Sequence, residues 1–249
     1  MKVTIITVCK NAQDTIEATV KSVLSQDYKN IEYIVIDGKS TDQTLNIIRK
    51  YNRKIDKLIS QSDGGIYYAM NKGLKYATGD VVNFLNAGDT YVDKSDVSEI
   101  VEVFHKHPVD MVYGDALIYD PNNPSMLTLK CHKYADIVFL SRWCICHQAI
   151  FVKKYLFDQY GTFDTQYKLV ADHEWLLRVF VNHGVSSMYI NRVIIRYLAG
   201  GETWNNPIRL YRERFVSLSH YVPAYKILAN LVKLSLRGRY LYFRPIPVT

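Results

Sequence analysis

The 249-residue chain is long enough for one α/β domain with an appendage. Its 48% hydrophobic and 22% charged residues exclude a disordered or collagen-like chain. The net charge of +7 is localised: six basic and no acidic residues run from Arg214 to the end, whereas the 25 basic residues before it nearly match 24 acidic ones. That distribution argues against a nucleic-acid-binding surface threaded through the fold.

The first half alternates strand and helix signals. Val3–Val8 is a β-branched run, followed by a helical pattern that opens at Asp14 with Glu17 placed for a capping box. In that helix Ile16, Val20, Val23 and Leu24 share a face. Ile31–Asp37 is a second strand, and a helix starts near Thr41-Asp42, where Asp42 suits a cap. Ile55–Ser60, the helix Ile66–Tyr76 and the strand Val81–Leu85 complete the series. Spacing of roughly 25 to 30 residues between strands fits βαβ units, hence an α/β fold with a mostly parallel central sheet flanked by helices. The second half is less regular. Met111–Asp115 reads as a strand, Asp120–Ser125 as a proline-bearing loop, Asp172–Phe180 as the centre of a helix and Val193–Tyr197 as a strand.

Beyond Pro223, Ile227, Leu231 and Leu234 stack on one face of a cationic amphipathic helix, which is expected to lie on an anionic membrane surface. The chain opens directly in a strand-like run, without a charged-then-apolar leader or a bilayer-spanning stretch. The expected location is therefore cytoplasmic, peripheral on the inner face of the plasma membrane. Cys9, Cys131, Cys144 and Cys146 form no C-x-x-C pair, so a disulfide scaffold is excluded and a zinc site through Cys131-His132 or Cys144–His147 is poorly spaced.

Ligands of parallel α/β sheets bind at the carboxyl ends of the strands. Those ends read Thr7-Val-Cys-Lys-Asn11, Asp37-Gly-Lys-Ser-Thr-Asp42, Ser60-Gln-Ser-Asp63 and Asn86-Ala-Gly-Asp89, which places polar groups on one edge. A strand-end Asp is more often a cap or turn residue than a ligand, so no one position decides.

Taken in order, these segments resemble family 2 glycosyltransferases. Asp-Gly-Gly-Ile-Tyr-Tyr-Ala-Met-Asn-Lys-Gly, Tyr-Gly-Asp at 113–115, Cys-His-Gln-Ala-Ile-Phe at 146–151 and Ala-Asp-His-Glu-Trp-Leu-Leu-Arg to Arg178 extend the resemblance over roughly residues 1–200. It implies a GT-A fold, with a nucleotide-sugar-binding half at 1–115, an acceptor-binding half at 116–200 and a basic helical extension at 201–249. It further implies inverting transfer of a sugar, with a UDP-sugar as the expected donor. The acceptor implied is a polyprenyl-diphosphate-linked saccharide of surface polysaccharide synthesis.

Carried over by position, Thr7 and Asn11 lie near the nucleotide, Asp37 meets the base, and Asp63 and Lys72 follow the base and diphosphate, with Asn86 beside them. Asp89 holds a divalent ion, Mn²⁺ or Mg²⁺, and Asp172 is the general base. Glu174 is the rival base, and an N-cap is the structural alternative for Asp172. His147 and Gln148 belong to the acceptor side. Trp143 and Trp204 suit sugar stacking or packing; Arg142, Arg196 and Arg209 suit an acceptor pyrophosphate or solvated surface. Two departures stand out: Asn86-Ala-Gly88-Asp89 lacks the usual paired acids, and Tyr68 and Gln61 replace frequent acidic residues. The first keeps open a catalytically degenerate nucleotide-sugar-binding partner of the same fold. A dinucleotide oxidoreductase is disfavoured because no G-x-G-x-x-G follows the first strand. A nucleotidyltransferase would want a glycine-rich basic loop there.

Overall fold

The computed structural model describes residues 1–120, 123–129, 137–141, 144–223 and 245–247. Strands β1 (Val3–Cys9), β2 (Ile31–Asp37), β3 (Lys57–Ser60) and β4 (Val81–Phe84) form the first half of the sheet. They pair in parallel in the order β4-β1-β2-β3. The helices between them, α1 (Ile16–Leu24), α2 (Thr44–Arg49) and α3 (Ile66–Tyr76), fall where the apolar spacing puts them. Period-2 alternation divides β1 between two cores. Ile6 and Val8 pack on one face with Met70 and Leu74 of α3, while Val3, Ile5 and Cys9 pack on the other with Val20 and Val23 of α1.

The second half is antiparallel at most pairings. It holds β5 (Thr90–Tyr91), β6 (Met111–Asp120), β7 (Asn123–Leu129), β8 (Ile150–Lys153) and β9 (Ser187–Leu198). Strand β8 runs antiparallel to both β4 and β6, whereas β9 lies parallel to β6. The expected loop at 120–125 is partly strand: Asp120 ends β6, Asn123 begins β7, and the two are paired. The run after Asn123 lacks the alternating pattern that would announce a strand.

Helix α4 (Asp96–Lys106) has no counterpart among the predicted elements, although Val97, Ile100, Val101 and Phe104 recur at helical spacing and are buried. Two caps differ from expectation. Helix α1 starts at Thr15 without a side-chain cap, and Glu17 instead accepts the Tyr51 hydroxyl at 2.6 Å. Asp42 accepts the Thr44 amide at 2.9 Å, but the N-cap position of α2 is Gln43.

Helix α5 (Ile137–Leu140), α6 (Tyr155–Tyr160) and α7 (Ala171–His183) cover the second half, followed by α8 (Glu202–Asn205) and α9 (Pro207–Ser219). The predicted extension at 201–249 divides into three parts. Helix α9 is docked on the domain: Glu213 accepts the Lys168 and Leu169 amides, each at 2.8 Å, and Leu210 packs with Leu169 and Val170. The amphipathic segment after Pro223, with Ile227, Leu231 and Leu234, lies outside the described residues, as do Cys131, His132, Arg142 and Trp143. Pro245–Pro247 forms β10, antiparallel to β7, so the chain there is sheet and not helix. No helix among the described residues is long and apolar enough to cross a membrane.

Candidate active site

The carboxyl ends of β1 and β4 open into a cleft of about 1020 Å³, closed on the far side by the residues after β9 and by α9. Of the predicted donor residues, Asn11, Asp63 and Asn86 line it. Asn11 takes a left-handed backbone (φ 48°), which Asn tolerates, and its side chain accepts the Thr41 amide at 2.9 Å. Asp63 accepts the Gly65 amide at 3.1 Å at the start of α3, and a Cβ on Gly38 would stand 2.9 Å from its other carboxylate oxygen. Gly38 thus leaves room for Asp63.

Three predicted donor residues do not line the cleft. Thr7 is fully buried between strands, its hydroxyl 3.1 Å from Tyr33 Oη, because alternation turns it to the α1 face. Asp37 is also fully buried; it accepts Ser60 Oγ at 2.6 Å and the amide and hydroxyl of Ser40, and so orders the loops around it. Lys72 sits half-buried in the middle of α3, whereas the cationic side chain at the donor end of the cleft is Lys10.

A chain of hydrogen bonds crosses the cleft floor. Tyr67, from α3, donates its hydroxyl to Asp172 Oδ1 at 2.8 Å, and His147 Nδ1 lies 3.0 Å from Asp172 Oδ2. Asn86 Nδ2 meets His147 Nε2 at 2.9 Å. An amide nitrogen only donates, so Nε2 accepts and Nδ1 carries the proton that is given to Asp172. Burial pushes the Asp172 carboxyl up, but the hydrogen bonds from His147, Tyr67 and the His173 amide more than reverse this and hold it below the ordinary value. Asp172 lies in the first turn of α7, whose N-cap is Val170, so it is not the cap. Glu174 points elsewhere: it pairs with Arg178 at 3.0 Å and accepts the Tyr221 hydroxyl at 2.7 Å.

Gln148 faces the opposite way from its neighbour. Its Nε2 donates to Asp89 Oδ2 at 2.7 Å, while the Leu198 amide donates to Asp89 Oδ1 at 3.0 Å. Asp89 is 3% exposed, and burial raises its carboxyl to about 6. Both oxygens of this acid are engaged inward. No group of three His, Cys, Asp or Glu among the described residues is arranged to hold a metal ion. Asp89 lines the cleft and, as an acceptor on both oxygens, ties the loop after β4 to the end of β9.

Sequence reasoning missed Tyr67, which sits on the apolar face of α3 with Met70 and Leu74 and reads as core; only its hydroxyl reaches the site. It also missed Lys168, which lines the cleft together with Arg209. Cys144 and Cys146 are buried, and the Cys146 thiol donates to Gln148 Oε1 at 2.9 Å. Arg196 is exposed on β9, paired opposite Thr90, and does not line the cleft.

Solved structures of similar fold include the S. aureus TarS 1-349 complex with UDP-GlcNAc, at TM-score 0.72 and 18% identity over 96% of this chain and 72% of that one. The mannosyltransferase PcManGT from Pyrobaculum calidifontis, in complex with GDP-Man and Mn²⁺, matches at TM-score 0.68 and 18% identity, over 96% of this chain and 76% of that one. Among sequences, the PGL/p-HBAD biosynthesis glycosyltransferase of Mycobacterium tuberculosis is 30% identical over 195 residues, 75% of this chain and 73% of that protein. WfaP of Escherichia coli, a UDP-Glc:alpha-D-GlcNAc-diphosphoundecaprenol beta-1,3-glucosyltransferase, is 44% identical over 91 residues, 36% of each chain. The profile of glycosyl transferase family 2 matches residues 4–197. The chain belongs to that family and is a glycosyltransferase of GT-A fold.

Proposed function

We propose that this enzyme transfers a hexosyl group, with inversion, from a UDP-sugar to a lipid-diphosphate-linked saccharide in surface polysaccharide synthesis, with Asp172 as the general base. The observation that carries the reading is the ionised, doubly hydrogen-bonded Asp172 on the floor of a cleft whose other end offers Asn11, Asp63 and Lys10. The acceptor hydroxyl attacks the anomeric carbon as the bond from that carbon to the diphosphate oxygen breaks. The hydroxyl proton passes to Asp172, and the negative charge leaves with the nucleoside diphosphate. Lys10 and the backbone amides at the start of α3, an 11-residue helix, face that charge. UDP is favoured by the donor in the TarS complex, and the acceptor class by the name of WfaP. An acceptor of that kind brings the enzyme to a membrane surface, peripheral on its cytoplasmic face.

The test is Asp172→Asn. Transfer should fall by about 10²–10⁴, the usual contribution of a positioned base, while UDP binding is unchanged. Retained transfer removes Asp172 from the mechanism. Loss of UDP binding together with transfer assigns it a structural role. Thermal unfolding against UDP, GDP, dTDP and CMP names the donor, since ligand at a hundred times its Kd adds about 2.7 kcal/mol. A nucleotide shift without any transfer favours the degenerate nucleotide-sugar-binding partner.

A further inference from the structure

Helix α9 turns its buried side, including Leu210, Arg214 and Leu218, to the domain. A surface helix ordinarily presents polar side chains on its other face. Here Ile208 is 85% exposed, with Val216 at 43% and Tyr211 at 39%. Arg212 stands among them, also exposed, and Glu213, the acid of this helix, is drawn inward by the Lys168 and Leu169 amides and by Arg209. The outward face is therefore apolar and cationic.

The same character continues to the cleft. Arg209, one residue from Ile208, lines the cleft. Lys168, whose amide donates to Glu213 of α9, also lines the cleft, and its ammonium stands 5.0 Å from the centre of the Tyr68 ring, which is 43% exposed and lines the cleft as well. A rim of exposed rings and aliphatic side chains interleaved with cations matches an interfacial surface, which buries its apolar groups at the acyl boundary and sets its cations against lipid phosphates.

We infer that the outward face of α9, continued at the cleft by Lys168 and Tyr68, is the surface on which the enzyme docks to an anionic lipid bilayer. This inference rests on the lipid-linked acceptor proposed above and names the surface by which that acceptor is reached. A second copy of the chain fits less well, because a two-fold contact through this face would set Arg212 against its own cationic surroundings in a molecule of net charge +7. Docked in this way, the cleft mouth faces the headgroups, and the lipid of the acceptor need not leave the membrane for its saccharide to reach Asp172.

The experiment is flotation of the full chain with phosphatidylcholine vesicles that contain or lack a quarter phosphatidylglycerol. The natural chain should bind the anionic vesicles and lose binding as salt rises. The double variant Ile208→Ser/Val216→Ser and the variant Arg212→Glu should each bind at least tenfold more weakly, with unchanged thermal midpoints. Variants that bind as tightly as the natural chain overturn the inference, as does a natural chain that ignores anionic vesicles. A change of oligomeric state in the double variant overturns it too, by making the face a contact between copies. Transfer from the UDP-sugar to a short-chain, water-soluble saccharide diphosphate should be equal in all three proteins. Absence of that transfer in the natural chain defeats the proposed function and leaves the vesicle result to judge the surface by itself.

Discussion

Replacing His147 by Ala removes the donor held 3.0 Å from Asp172 Oδ2 and leaves Asn86 Nδ2 without its acceptor. Asp172 is 6% exposed, so water does not freely replace the lost partner. Leaving one oxygen of a buried carboxylate without a donor costs about 1–3 kcal/mol. If that cost falls on the state that accepts the proton, kcat/KM drops by about ten- to a hundredfold. The sign of the pH effect follows from the same contacts. In the folded protein the Asp172 carboxyl is held below its ordinary value, so its contribution to stability is present above the unfolded value and is lost as pH falls through the folded one. Without His147 the carboxyl rises, the ionised fraction shrinks first on the acid side, and the acid limb of kcat/KM moves toward neutrality. His147→Gln keeps an amide donor and should recover part of both losses. The assay is transfer rate against pH, with UDP affinity as the control. A rate loss with the acid limb unmoved refutes the reasoning, because His147 would then be acting on the substrate or through packing.

Three further outcomes are expected. In Asp89→Asn, the extra thermal stabilisation that Mn²⁺ adds to bound UDP should be unchanged, since Asp89 is engaged with Leu198 and Gln148; its disappearance makes Asp89 a metal ligand after all. Glu32 is buried, which raises its carboxyl, yet Lys2, Thr4 and Thr78 draw it down to about 2. It contributes up to about 3 kcal/mol above the ordinary carboxylate range, lost as pH falls toward 2, so the melting difference between the natural chain and Glu32→Gln should shrink on acidification. A difference that stays constant with pH contradicts this. In Gly73→Ala the added Cβ collides with Ile6 Cγ2 in the core, which should cost about 1–3 kcal/mol and reduce transfer by displacing α3 and Tyr67 with it; a midpoint equal to that of the natural chain shows that α3 yields freely.

The parallel half of the sheet was legible because its information is local. Ile31–Asp37 and Ile66–Tyr76 have the boundaries their apolar patterns dictate, and the spacing between strands selects the topology. The hairpin and the antiparallel pairings of β8 depend on contacts distant in sequence. At the site, chain position named Asp172, Asn86 and His147, but not the hydrogen bonds that join the three. Thr7 and Asp37 stand at strand ends as a ligand would, yet one is turned to Tyr33 and the other is consumed by two serines. A strand end gives the edge of the sheet and says nothing of which groups remain available there. Tyr67 was illegible for the converse reason, since its ring obeys the core pattern and its hydroxyl does not.

His147 and Gln148 are consecutive residues of one short helical turn, yet one reaches Asp172 and the other Asp89. Asn86 and Asp89, three residues apart after β4, receive that turn from the other side. The four side chains thus form a two-pronged plug and its socket. Chimeras that exchange the acceptor-side segment with a relative for new selectivity would separate plug from socket if the junction fell between residues 89 and 147. Moving both as one cassette keeps Asp172 oriented, whichever sugar the remainder of the cleft is remade to admit.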